Sequence, residues 1–231
     1  MGIEELRVGG SVKLKGPIKL KHIDIAGSLT IDGDAEVEEF KVSGSAKING
    51  NLKVGSVDTS GSLKISGDLE AREVDASGAL RVDNLLKTQK LNVAGSLRAQ
   101  RIEADILKIA GSLDSSETRV KQAIIHRKSK VEGKIIGDRI EIGKDAEVKS
   151  VIGCTVIIGR DAEVYSVIGK KVVVERGAEV DYVEAEEVVV EKNAEIGTLK
   201  YVKDLKVHED ASVDEVVKIE KLSIDLECVE E

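Results

Sequence analysis

Apolar and polar residues alternate along this chain in short bursts that return at a fixed distance. A small-Gly-Ser/Ala-apolar motif occurs at Gly10-Ser11-Val12, Gly27-Ser28-Leu29, Gly44-Ser45-Ala46, Gly61-Ser62-Leu63, Gly78-Ala79-Leu80, Gly95-Ser96-Leu97 and Gly111-Ser112-Leu113. The glycine steps are 17, 17, 17, 17, 17 and 16. Two positions after the glycine the chain reads Val12, Leu29, Ala46, Leu63, Leu80, Leu97, and four positions after it Leu14, Ile31, Ile48, Ile65, Val82, Ala99, with a polar residue between. That is the two-residue period of a strand with one buried face. Two further inward pairs follow in each repeat, such as Ala35/Val37 and Phe40/Val42, or Leu52/Val54 and Val57/Thr59. A second glycine column, Gly16, Gly33, Gly50 and Gly67 with Asn84 next, lies between the first and second pairs. These residue types accept positive φ, so the column predicts a corner made with left-handed backbone. Each repeat then holds three short strands and three corners.

The second half continues under a different label. Asp145-Ala146-Glu147-Val148 returns as Asp161-Ala162-Glu163-Val164, Gly177-Ala178-Glu179-Val180, Asn193-Ala194-Glu195-Ile196 and Asp210-Ala211-Ser212-Val213, with alanine steps of 16, 16, 16 and 17. Apolar pairs precede each copy: Ile140/Ile142, Val156/Ile158, Val172/Val174, Val188/Val190 and Leu205/Val207. The single early copy Asp34-Ala35-Glu36-Val37 joins the two registers. A repeat this short cannot close its own apolar face, so repeats must stack, one rung every ~4.8 Å. The expected fold is all-β: a single-stranded parallel β-helix solenoid of about 13 rungs, with three short strands in each. The inward columns follow one another at about 6, 5 and 6 positions rather than in a strict hexapeptide, which points to a right-handed coil. Residues 1–113 form an N-terminal stack, 114–130 an irregular rung or kink, and 131–231 a C-terminal stack continuous with the first.

Composition sharpens this picture. The chain has no Trp, one Phe and three Tyr, as expected of a narrow core lined by branched aliphatics. One Pro against 22 Gly leaves the turns to glycine. The formal net charge of -8 lies entirely in the second half: residues 1–113 carry 16 basic and 16 acidic side chains, the remainder 19 and 27. Neither half has the basic excess with aromatic platforms that nucleic-acid binding uses, and the richest basic stretch, around Arg127, Lys128 and Lys130, reads as solvated rung edge. No apolar leader or long apolar run is present, so a cytoplasmic protein without an integral membrane segment is expected. The Lys/Glu-rich surface has the bias of thermophile proteins.

Candidate chemistry is sparse. His22, His126 and His208 are many rungs apart and give no pair spaced for zinc, so they read as solvated edge residues. Cys154 and Cys228 have no paired spacing, which predicts neither a disulfide framework nor a metal motif. Asp145, Asp161 and Asp210 recur at one corner, but Gly177 and Asn193 share the column, so turn geometry explains them better than cation binding. Glu147, Glu163, Glu179 and Glu195 are expected to pair with neighbouring lysines. Repeats this short and this regular leave no room for catalytic loops, and neither an enzyme nor a cofactor is expected.

The stretch from Arg139 to Val180, with its recurring apolar-x-apolar-Gly-x-x-Ala-x-Val, resembles the core of the bactofilins, polymer-forming cytoskeletal proteins. The resemblance covers residues 8–219, longer than the usual core. It implies a right-handed β-helix that self-assembles into filaments by stacking terminal rungs end to end, without nucleotide. Terminal rungs of any solenoid expose backbone groups and apolar columns, which is an independent reason to expect association there. The expected interface comprises Leu6, Val8, Val12 and Leu14 at the N-terminal end, which is expected to mediate association, and Leu222, Ile224 and Leu226, which alternate like a further strand, at the acidic and partly blocked C-terminal end. The alternative is a non-polymerising β-helix that binds a protein client or acts as an adhesin-like module.

Overall fold

In the computed structural model, which describes residues 4–228, every strand lies in a parallel β-solenoid of about 13 turns, and no helix occurs among the described residues. The strands are β1 (Glu5–Val8), β2 (Ser11–Lys15), β3 (Ile18–Ile25), β4 (Ser28–Asp32), β5 (Ala35–Val42), β6 (Ser45–Ile48), β7 (Leu52–Thr59), β8 (Ser62–Ile65) and β9 (Leu69–Ala76). They continue as β10 (Ala79–Val93), β11 (Ser96–Ile109), β12 (Ser112–Ile125), β13 (Lys130–Ile142), β14 (Glu147–Ile158), β15 (Glu163–Val174), β16 (Glu179–Val190), β17 (Glu195–Val207) and β18 (Ser212–Lys218). The chain divides into two compact units, residues 1–107 with 111–118 and residues 108–110 with 119–231.

In the first unit each strand pairs in parallel with its equivalent one repeat on. Val12 lies over Leu29, Ile18 over Ala35 and Phe40 over Val57, the same step that separates the glycines. Away from the end rung the inward pairs are mostly buried as the alternation requires, with Leu29, Ile31, Phe40, Ile48, Leu52 and Ile65 each at most 1% exposed. The strands are fewer and longer than three per rung. In β5 the strand runs on through Glu38-Glu39, where the burial alternation slips by one position, and β10 carries all three faces of its rung in one run. The ladder hydrogen bonds continue around such corners because each turned residue still finds the same residue one rung away.

The glycine columns have a steric cause rather than the conformational one expected. Of Gly16, Gly33, Gly50 and Gly67, only Gly33 has positive φ, at 129°. A Cβ on Gly50 would instead lie 2.6 Å from the Gly33 carbonyl carbon and oxygen. The Gly-Ser corner is tighter still: a Cβ on Gly61 would sit inside the Gly44 carbonyl oxygen, and one on Gly78 inside that of Gly61. Backbone stacks on backbone at these corners, so only glycine fits. Beside the second column, corner side chains bond to the next rung: Asp34 Oδ1 accepts from Asn51 N–H at 2.7 Å, and Asn51 Oδ1 from Asp68 N–H at 2.8 Å.

In the middle of the second unit the offset between rungs is shorter by one position, as in Val148 over Val164 and Val164 over Val180. Its sharp corner does use left-handed backbone. Asp145, Asp161 and Asn193 have φ of 54°, 55° and 56°, and Gly177 has 71°. Asp and Asn tolerate this region best among residues with a side chain, which accounts for the column. Lys128 (φ 57°) takes the same place one rung earlier, and the buried Ser129 fills the alanine slot while donating its hydroxyl to Ile109 O at 2.9 Å. Arg127 to Lys130, which depart from the motif in sequence, thus form the same corner. Ser115 and Thr118 are likewise buried, and their hydroxyls bond each other at 2.7 Å.

Candidate functional site

At the N-terminal end of the first unit the inward columns lack a covering rung. Val12 and Leu14 of β2, and Ile18 and Leu20 of β3, are half-exposed, whereas the residues stacked on them, Leu29, Ile31, Ala35 and Val37, are buried. On the third face β1 lies on β3 and places Leu6 over Ile23 and Val8 over Ile25. Leu6 is half-exposed, and Val8 is buried. The end is therefore an aliphatic triangle of Leu6, Val12, Leu14, Ile18 and Leu20. Cross-rung ion pairs rim it: Lys13 with Asp32 at 2.8 Å, Lys19 with Glu36 at 2.7 Å and Lys21 with Glu4 at 3.0 Å.

The last rung of the second unit is open in the same way. Val216 stacks on Leu199 and Val207 on Val190; the lower partners are 0% and 2% exposed, the upper ones 49% and 41%. Leu205, Ala211 and Val213 complete this surface and are half-exposed. It is not the surface expected from sequence. Leu222, Ile224 and Leu226 do not form a further strand, because after Lys218 the chain leaves the end of the stack and turns back along its side.

Two anchors hold that returning segment. The backbone N–H of Ser223 donates to the Glu184 carboxylate on β16, and Cys228 forms a disulfide with Cys154 on β14, with 5.8 Å between the Cα atoms. That Cα separation is ordinary for a disulfide. The two cysteines, whose spacing predicts no disulfide framework, are thus bonded across 74 residues of sequence, which no spacing rule could reveal. The segment lies against an outward strip of the second unit. Ile136, Ile152, Ile168 and Glu184 stack in register there, and Ile152 and Glu184 are only 8% and 2% exposed although they point away from the core. The clue in the sequence is the doublet Val151-Ile152, repeated as Val167-Ile168, where apolar residues occupy outward as well as inward positions.

Glu184 is the only buried carboxylate among the described residues. Burial pushes its pKa up, but hydrogen bonds from the Tyr182 hydroxyl, at 2.5 Å, and from Ser223 outweigh that. With the Lys200 charge adding to them, the carboxyl lies below the ordinary glutamate value. Burial and the bond to Glu184 push Tyr182 up to about 12. The pair is thus held as carboxylate and phenol over the whole neutral range.

The remaining candidates stay separate. His22 Nδ1 lies 3.0 Å from Glu39, His208 Nδ1 accepts from Asp210 N–H at 3.1 Å, and His126 donates its backbone N–H to Ile109 O. No group of three or more His, Cys, Asp or Glu among the described residues is arranged to hold a metal ion. Lys130, Glu147, Glu163, Glu179 and Glu195 stack in one outward column, and of these glutamates only Glu147 meets a lysine among the described residues, Lys130 at 3.1 Å. No described helix is long and apolar enough to cross a membrane. Comparison with protein families, with curated proteins and with solved structures finds no match.

Proposed function

We propose that this protein is structural and self-assembles by end-to-end stacking of its β-solenoid, without nucleotide or cofactor. The observation that carries the reading is the pair of uncovered aliphatic surfaces. One comprises Leu6, Val12, Leu14, Ile18 and Leu20, the other Leu205, Val207, Val213 and Val216. Each continues the three inward columns that fill the interior of its unit, so a second copy offers both the side chains and the ladder hydrogen bonds that the end rung lacks. The second surface is left open by the path of the chain, which continues past β18 and departs sideways. The resemblance of the Arg139–Val180 pattern to the bactofilins supports the same reading.

The disulfide bears on location. Such bonds belong to oxidising compartments, with the intracellular proteins of hyperthermophiles as the exception. Together with the Lys/Glu-rich surface, that exception keeps a cytoplasmic site in a thermophile as our reading. A non-polymerising protein-binding module is the second reading, favoured by Tyr165, which is 64% exposed beside the glutamate column.

Negative-stain electron microscopy over a range of protein concentration tests the first reading. Filaments one solenoid wide are expected, and Val12→Asp or Val216→Asp should abolish them while leaving the circular dichroism of the monomer unchanged. Discrete particles at every concentration would overturn the reading and direct attention to the Tyr165 face.

A further inference from the structure

We infer that the Cys154–Cys228 disulfide is a redox latch that keeps the C-terminal end of the stack open, and that its reduction frees residues 219–228 to cover that end as a further strand. The inference rests on the end-to-end reading and adds its control.

The argument begins with register. In the last two rungs Val190 pairs with Val207, and Ile196 with Val213, a step of 17 in each case. The same step taken from the open end gives Leu222 over Leu205 and Ile224 over Val207, with the polar Ser223 over Lys206 between them. It also places Cys228 over Ala211, in a column otherwise filled by Ser129, Ala146, Ala162, Ala178 and Ala194, where only a small residue fits. Three inward slots are therefore matched by a segment that lies elsewhere. Its apolar side chains are poorly covered where it now lies: Ile224 is 39% exposed, and Leu222 and Leu226 are half-exposed. Over the end they would cover Val207, now 41% exposed, and be covered by it in turn.

What holds the segment on the side is the covalent bond together with the Glu184–Ser223 contact. Both cysteines are half-exposed, so a small thiol can reach the sulfurs. The step is ordinary thiol–disulfide exchange with a dithiol. The dithiol gives up two electrons and two protons and becomes a disulfide, the Cys154–Cys228 S–S bond breaks, and two thiols remain. The freed strand then occupies the surface on which the next copy would stack, so reduction ends assembly.

The test uses the full chain, oxidised or treated with dithiothreitol, and two readouts. Hydrogen–deuterium exchange at Leu205 to Val207 is followed in the Val12→Asp variant, which removes stacking by a second copy. Reduction should slow exchange there about tenfold and speed it at Ser223. Unchanged rates in both places would overturn the inference whether or not the protein assembles. Light scattering of the parent chain reads the consequence: assembly in the oxidised form, its loss on reduction, and its recovery in reduced Leu222→Asp/Ile224→Asp. Equal assembly in both redox states would also overturn the latch. Absence of assembly in both, with the exchange change present, would refute end-to-end stacking and the latch's control of it, leaving the strand relocation standing.

Discussion

Thr59 holds the one buried side-chain oxygen without a hydrogen-bond partner among the described residues. It lies in an inward column between Val42 and Ala76, fully buried, where its hydroxyl has only aliphatic neighbours above and below. Replacing Thr59 by Val removes an unmet polar group at constant shape and should stabilise the chain by about 1 kcal/mol, read as a higher denaturant midpoint at unchanged slope. A lower midpoint would mean that the hydroxyl is satisfied. Gly61→Ala tests the opposite constraint. The added methyl meets the Gly44 carbonyl, a backbone atom that cannot rotate away, so a loss of about 2 kcal/mol or more is expected. A small loss would mean that the methyl finds room between the rungs. Sequence spacing located these glycines; it could not say that the reason is contact between rungs, because that contact joins positions a whole repeat apart.

At the scale of the element, the docking of the returning segment is expected to respond to pH. The folded pKa of Glu184 is depressed, so its contribution is present in full above the unfolded value and is lost as pH falls through the lower folded value. Tyr182 behaves in the opposite sense: its pKa is raised to about 12, and its contribution, present below the ordinary tyrosine value, is lost as pH rises through the folded one. Protection of the Ser223 amide, taken relative to the intrinsic exchange rate at each pH, should therefore be highest from weakly acidic to moderately alkaline pH and fall on either side. In Glu184→Gln the acid limb should vanish and neutral exchange should be about tenfold faster, since a neutral amide accepts less strongly than a carboxylate. Identical profiles would show that the segment is held by the disulfide alone. This element marks where sequence reading stops. The recurring glycine and alanine columns made every rung legible, and the alternation of Leu222, Ile224 and Leu226 was legible too. Their position was not, because one cysteine pair and one buried glutamate decide it, and neither repeats.

At the scale of the whole molecule the proposed stacking would be head to tail, joining two different surfaces and therefore able to propagate. Val12→Asp and Val216→Asp each spoil one surface and leave the other intact. Either variant alone should stay monomeric, and an equimolar mixture should form dimers and nothing larger, as read by sedimentation velocity. Homodimers of one variant would instead mean that like ends meet. The charge asymmetry, with the whole excess of acid in residues 114–231, does not oppose such a contact, since the N-terminal half is balanced.

The scarcity of aromatic rings has an optical consequence. With Trp absent, ultraviolet emission beyond the phenylalanine band comes from Tyr165, Tyr182 and Tyr201, all in the second unit, so a fluorometer is blind to the first. Peptide-bond circular dichroism records both. If the units melt separately, as quasi-one-dimensional stacks can, the two signals will give different midpoints, and their divergence will report the stability of the silent unit by subtraction.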